Sequence, residues 1–306
     1  MKPTARTRYW VGAFFVFLAA FCFALKGILI KLAYQYRIDA ISLLTLRMLA
    51  ALPFYVGIIL YLNRHDSVQQ RLHRLSARQW LTLALLGVTG YYLASFFNFL
   101  GLTYINASLE RILLFIYPTF VLVMNAVYYK RAVSRRQWLA LLLTYGGIWL
   151  AFQENLDTGA QRALYLGAFW VILSGLVYAV YLVGSDRMIA RIGSQRFTCY
   201  AMMAATAPTV LHCLVANGLN LSGFAWPVYG LGLLMGILVT VIPTFLIAEG
   251  IKRVGSGNAA IIASVGPIFT LVLSTTLLNE LISTAQLIGT GFVLAGVFLI
   301  SWKPGT

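Results

Sequence analysis

The sequence predicts an all-α, polytopic membrane protein, and three observations carry that expectation. Of 306 residues, 60 % are hydrophobic and only 10 % are charged, where a soluble domain carries about a quarter charged residues. Mean hydropathy is +0.83. The apolar residues also fall in long unbroken runs, and about 20 such residues are needed to cross roughly 30 Å of hydrocarbon as a helix. A transmembrane β-barrel would show alternating segments about half as long. The same composition excludes disordered, collagen-like and disulfide-scaffold chains. Cys22, Cys199 and Cys213 all lie in apolar runs and read as small buried hydrophobes.

Ten runs are candidate spans: residues 10–34, 40–62, 79–98, 105–129, 137–152, 164–185, 197–217, 227–248, 257–278 and 284–302. The first is too long for a signal peptide and no small-residue cleavage site follows it.

Charge sets the expected orientation. The formal net charge is +15, from 23 Lys and Arg against 8 Asp and Glu. Lys2, Arg6 and Arg8 precede span one, and Arg64, Arg71, Arg74 and Arg78 follow span two. Lys130, Arg131, Arg135 and Arg136 follow span four; Arg187, Arg191 and Arg196 follow span six; Lys252 and Arg253 end span eight; Lys303 follows span ten. Seventeen of the 23 basic residues thus fall on one side, whereas the alternate connections hold only Arg37 and Arg162, the latter near Glu154 and Asp157. The positive-inside rule makes the basic side cytoplasmic, with both termini inside. The expected location is a plasma membrane, the inner membrane of a bacterium. A basic face against anionic lipid accounts for the surplus charge, so nucleic acid is not an expected partner.

The chain also repeats. Gly12-Ala13-Phe14 recurs as Gly167-Ala168-Phe169, and at the same offset Met48, Ala50 and Pro53 meet Met203, Ala205 and Pro208. Later the offset shortens by six, and Gly87, Phe96, Gly101, Pro118, Phe120 and Gln137 meet Gly236, Phe245, Gly250, Pro267, Phe269 and Gln286. The halves are residues 10–152 and 164–302, five spans each. Five is odd, so the second half enters the bilayer from the opposite side. Ten helices in two inverted five-helix repeats is an architecture of alternating-access carriers, with a site near the midplane where the halves meet.

Here the chain resembles the EamA-type transporters of the drug/metabolite transporter superfamily. The residues carrying the resemblance are Gly101-Leu-Thr-Tyr-Ile-Asn-Ala-Ser108 before Pro118-Thr-Phe120, and Gly250-Ile-Lys-Arg-Val-Gly-Ser-Gly257 before Pro267-Ile-Phe269. The exit Leu277-Leu-Asn-Glu280 and the pairing of Lys31 in span one with Arg47 in span two add to it. One departure stands out: the first-half exit, Tyr129-Lys130-Arg131, has no acid where Glu280 stands in the second half. The resemblance implies a ten-helix carrier of small metabolites, often working outward.

Polar residues inside spans are the candidate site, because a charge at the centre of a bilayer helix costs at least about 2.5–3.5 kcal/mol. Lys26 lies past the midplane of span one and either snorkels outward or lines a cavity; its repeat partner is Tyr181. Arg47, Glu110 and Arg111 lie on the same side, and with Lys26 they form a cluster of three cations and one anion that an acidic substrate group would complete. Tyr91, Ser95 and Asn98 share one face of span three, and Ser174, Tyr178, Tyr181 and Ser185 share one face of span six. Thr240 and Thr244 on span eight are the repeat counterparts of Tyr91 and Ser95. The expected substrate-binding set is therefore Lys26, Tyr91, Ser95, Asn98, Tyr178, Tyr181, Thr240 and Thr244. Arg47, Glu110, Pro118, Glu249 and Pro267 are candidates for gating or coupling, Glu249 having an interfacial ion pair with Lys252 and Arg253 as its simpler role. His212 is expected to make an ordinary helix contact.

A carrier of amino-acid-like or organic-acid-like metabolites, working in export, is the expected function. A membrane-embedded enzyme is the alternative, but no His-Glu-x-x-His, paired aspartates or Gly-x-Ser-x-Gly appears in any span. The scattered histidines His65, His73 and His212 build no metal site, and neither catalytic residues, a metal nor a cofactor is expected. A lipid-linked flippase or scaffold component is a third class. The expected partners are a small-molecule substrate and the lipid bilayer, with a homodimer left open.

Overall fold

The structure is a computed structural model that describes residues 5–64, 75–130, 134–153, 161–254, 259, 262–263 and 265–301. Of the residues singled out above, Lys2, His65, Arg71, His73, Arg74, Arg131, Glu154, Asp157, Lys303 and the stretch 255–258 lie outside the described residues.

The described residues form an all-helical protein: α1 Ala5–Tyr34, α2 Ala40–Arg64, α3 Ala77–Leu102, α4 Ala107–Leu114, α5 Tyr117–Tyr129, α6 Arg135–Gln153, α7 Gln161–Ile192, α8 Ser194–Asn217, α9 Trp226–Val254, α10 Gly266–Leu278 and α11 Thr284–Ser301. Among the described residues, seven candidate spans are long and apolar enough to cross a membrane, and α10 and the stretch Thr284–Leu299 are shorter apolar helices. The exterior is apolar, as a lipid-facing surface must be. Trp10 and Trp138 are 63 % and 59 % exposed at one end, Trp149 and Trp226 62 % and 87 % at the other, which is how interfacial aromatics bracket a bilayer. The chain is a multi-pass membrane protein.

Helix starts follow from short polar side chains that take up the first free backbone N–H groups. Asp39 Oδ1 accepts from the Ile41 and Ser42 amides, 3.1 and 3.0 Å, ahead of the main run of α2. Ser76 and Gln79 form a reciprocal capping box at α3, and Asn106 accepts from Leu109 N at α4.

The fourth expected span, 105–129, is not one helix. It breaks at Phe115 and Ile116 and restarts at Tyr117, with Pro118 in the first turn of α5; Pro267 likewise sits in the first turn of α10. Both prolines fall inside the expected spans, 105–129 and 257–278. In the structure each begins a helix, where the N–H that proline lacks has no partner to lose.

Several local features recur 149 residues apart. Each of α3 and α9 carries a π-helical turn, Val88–Leu93 and Ile237–Val241. Lys130 and Asn279 both end their helices in the left-handed region, at φ 51° and 54°. Ser134 with Gln137, and Ser283 with Gln286, make the same capping contacts before α6 and α11. Close helix crossings recur as well. A Cβ on Gly101 of α3 would lie 2.6 Å from Val171 Cγ2 and 3.1 Å from the Gly167 carbonyl of α7. One on Gly250 of α9 would lie 2.5 Å from Val16 Cγ2 and 3.1 Å from the Gly12 carbonyl of α1. α6 crosses α11 at Gly147 against the Gly289 carbonyl, and again where Gly296 meets the Ala140 carbonyl. The largest core cluster joins α1, α2, α3, α8 and α9 around Met48, Tyr55, Phe99 and Met235.

Candidate functional site

Three helices deliver charge to one place, and a fourth delivers a neutral amide. Lys26 of α1 sets its ammonium 3.9 Å from Glu110 Oε1, the lysine side chain 21 % exposed and the glutamate 2 %. Gly27 lies beside the carboxylate, where a Cβ would sit in ordinary contact with Glu110 Oε2 at 3.5 Å. Asn98 of α3 donates from Nδ2 to Glu110 Oε1. Arg47 of α2, 6 % exposed, donates from Nη2 to Ser95 Oγ at 3.0 Å and lies 5.1 Å above the Phe99 ring. Arg111 turns the other way, onto Gly266 at the start of α10. Glu110, Arg111 and Arg47 all lie within Coulombic range of the Lys26 ammonium.

Three cations around one carboxylate leave the cluster with an excess of positive charge. Its hydrogen bonding is also incomplete: Arg47 Nε, Asn98 Oδ1 and Arg111 Nε are buried without a partner among the described residues. A buried polar atom without a partner is costly. Two cationic donors and one neutral acceptor left open together can take an anionic group and a neighbouring N–H or O–H group.

An aromatic wall adjoins the cluster. Tyr117 lies within Coulombic range of Arg111 and packs edge-on against Tyr178, ring centroids 5.5 Å apart. Tyr178 stacks on Tyr181 at 5.7 Å, and the Tyr181 hydroxyl bonds that of Tyr91 at 2.8 Å. Gly90, in the π-turn of α3, lies flush against the Tyr181 ring and leaves no room for a Cβ. Ser174 of α7 donates to the Ala94 carbonyl at 2.6 Å and ties the two helices together.

The structure thus brings Lys26, Arg47, Ser95, Asn98 and Glu110 into one cluster and Tyr91, Tyr178 and Tyr181 into the wall beside it. Thr240 and Thr244 are placed differently. Their hydroxyls donate to their own helix, to the Met235 carbonyl at 2.9 Å and the Thr240 carbonyl at 2.6 Å. The Tyr55 hydroxyl adds a second bond to the Thr240 carbonyl at 3.3 Å. Glu249 stands nine residues past Thr240, roughly 13 Å along α9, and pairs with Arg253 at 3.0 Å and Lys252 at 3.4 Å. His212 bonds the Tyr92 hydroxyl through Nδ1 at 2.8 Å. A cavity of about 850 Å³ opens elsewhere, between α3, α5 and α7 at the basic end, and none of the site residues named from the sequence lines it.

The EamA-like transporter family matches residues 10–153 and again residues 165–302. The chain belongs to that family. The uncharacterized transporter YcbK of Bacillus subtilis is 33 % identical over 302 residues, covering 96 % of this chain and 95 % of its own. An uncharacterized transporter of Archaeoglobus fulgidus is 24 % identical over 90 % of this chain and 92 % of its own. A solved crystal structure at 17 % identity superimposes with a TM-score of 0.63 over 94 % of this chain and 96 % of that one, which speaks for the fold alone.

One EamA-like motif residue acquires a definite contact. Glu280, after α10, accepts from the Ala107 and Ser108 amides at 2.8 and 3.2 Å and from the Ser108 hydroxyl at 2.6 Å. It caps the start of α4, one turn before Glu110. Ser108 Oγ also lies 2.7 Å from Ser274 Oγ. The two cations that add to the resemblance take separate partners: Lys31 lies in range of Glu280, and Arg47 holds Ser95. Two like charges have no reason to meet where a carboxylate and a hydroxyl are available. Sequence reasoning missed Tyr117 and the contacts of Glu280 and Ser108, because their partners stand 61 to 173 residues away.

Proposed function

We propose that the protein is a carrier with ten transmembrane helices in two inverted five-helix repeats, residues 10–152 and 164–302. It moves small carboxylate-bearing metabolites, amino-acid-like or organic-acid-like, out of the cell by alternating access. Both termini lie in the cytoplasm of a bacterial inner-membrane topology. The family, the paired π-turns and capping boxes 149 residues apart, and the matched glycine crossings support the two-fold design. The one-sided basic connections support the orientation.

The observation that carries the substrate class is the cluster at Lys26 and Glu110, with its excess of positive charge and its unpartnered Arg47 Nε, Arg111 Nε and Asn98 Oδ1. A carboxylate takes charge-assisted bonds from the guanidinium and ammonium donors, and a substrate amine or hydroxyl answers Asn98 Oδ1. Tyr91, Tyr178 and Tyr181 form the apolar side with hydroxyl tips. Glu280, bonded to the start of α4, is the closed outer latch beside this site, and Pro118 and Pro267 begin the half-helices that move with it. Arg47 and Glu110 hold the site in shape, and Glu249 fastens the cytoplasmic end.

Flux in proteoliposomes tests this. Wild-type protein should move at least one member of a panel of labelled amino acids and organic acids. Lys26→Met, which keeps the stem and deletes the charge, should lower that flux by about tenfold or more, since a hydrogen bond to a charged group is worth about 1.5–3 kcal/mol. Wild-type flux in Lys26→Met would remove the cluster from the pathway.

A further inference from the structure

The cavity of about 850 Å³ between α3, α5 and α7 is left unused by the carrier site, and its lining has two distinct parts. Val123, Met124, Val127, Val180, Val183 and Met188 make an apolar groove. The groove opens on the apolar exterior: Val127 is 75 % exposed, Val123 48 % and Val180 44 %. Gln79 and Thr82 of α3 also line it, and Arg187 and Arg191 stand at its end, four residues apart and so on one face of α7. Both are exposed. Neither makes a hydrogen bond or ion pair with another described residue, so both guanidiniums are open to a ligand.

A water-filled vestibule would be lined mainly by polar side chains, whereas here Gln79, Thr82, Arg187 and Arg191 are outnumbered by valines and methionines, and a groove for a soluble ligand would not open sideways onto the hydrocarbon. The one anion that a bilayer presents at this depth, joined to a chain that wets valine and methionine, is a phospholipid. We propose that the groove binds an anionic phospholipid, one acyl chain lying along Val123, Val127, Val180 and Val183 and the phosphodiester against Arg187 and Arg191. The cytoplasmic leaflet is the anionic one, and basic pockets between helices on that side suit such headgroups. The inference rests on the cytoplasmic placement of the basic end proposed above, but not on the substrate of the carrier site.

Native mass spectrometry tests it without any transport readout. Protein released from nanodiscs of phosphatidylglycerol and phosphatidylcholine in equal parts should retain phosphatidylglycerol in preference. Arg187→Gln combined with Arg191→Gln should cut that retention by about thirtyfold, given about 1 kcal/mol for each basic residue at an anionic surface. Arg135→Gln with Arg136→Gln, which removes two cations from the same end of the molecule, should leave it unchanged. Val183→Trp fills the groove, keeps both arginines and should also lose the lipid. Equal loss in the two arginine pairs, full retention in Val183→Trp, or displacement of the adduct by inorganic phosphate would each overturn the assignment. Occupancy is read directly as mass, so failure of the carrier reading would leave this result standing.

Discussion

The third helix, α3, and the ninth, α9, share a backbone device and differ in what their side chains do with it. Both carry a π-turn, at Val88–Leu93 and Ile237–Val241, and both cross a long partner helix at glycines. On α3 the polar side chains reach outward, each to a different helix: Tyr91 to Tyr181, Ser95 to Arg47 and Asn98 to Glu110. On α9 the residues 149 positions on are Thr240, Thr244 and Ile247. The two threonines bond their own helix. Lys26, Arg47 and Glu110 meet Tyr181, Met202 and Ala259 at the matching offsets. A repeated backbone is therefore architecture, and the chemistry sits mainly on one copy. On the proposed carrier reading that division is physically reasonable, because one small ligand needs one charged site and a second buried cluster would only add desolvation cost.

The largest effect that could break the comparison is a labelling result, because it is all or none. Cys22, Cys199 and Cys213 are buried and give a quiet background. Arg135→Cys should react with an impermeant reagent only from the cytoplasm, and Ser222→Cys only from outside. Reaction of both from one side would end the inverted relation between the two helices.

Removing Glu110 comes next. Its carboxylate is the partner of Lys26 and Asn98, so Glu110→Ala leaves three cations without their nearby anion. Breaking a buried charge pair costs about 3–5 kcal/mol, and a large fall in melting temperature in detergent is expected. A fall of only a degree or so would mean that water already solvates the cluster.

A smaller contrast sharpens the difference between α3 and α9. Ser95→Ala takes away the hydroxyl that Arg47 holds and should cost about 1.5–3 kcal/mol, the range for a hydrogen bond to a charged group. Thr244→Val removes a hydroxyl that bonds the Thr240 carbonyl of its own helix and the neutral Tyr55 hydroxyl, and should cost less, about 0.5–1.5 kcal/mol. Equal costs at the two positions, read by thermal unfolding, would erase the asymmetry.

Much of the fold is visible in the sequence, because apolar runs of span length have few other uses. The expected runs at 40–62 and 197–217 differ from α2 and α8 by a few residues. The breaks at Phe115–Ile116 and before Gly266 are not visible, since proline in a first turn and proline inside a helix look alike in a string. The π-turns leave no residue signature at all. For the site, the polar stripe Tyr91, Ser95, Asn98 marks the right helix face, yet it does not reveal that each residue meets a different partner. Thr240 and Thr244 show the limit most clearly. A threonine in a span satisfies itself on the preceding turn as readily as it meets a ligand, and only the packed helix decides which.

The most direct measurement is binding of matched ligands that differ only in the carboxylate. Purified protein would be melted with a panel of amino acids and organic acids and with their amides, on wild type and on Lys26→Met. A ligand that binds the folded state raises its apparent stability by mass action. The expected result is that at least one carboxylate stabilises the wild type, its amide does not, and Lys26→Met loses the response while still melting cooperatively. Equal stabilisation by acid and amide, or an undiminished response in Lys26→Met, would contradict a carboxylate site at Lys26 and Glu110.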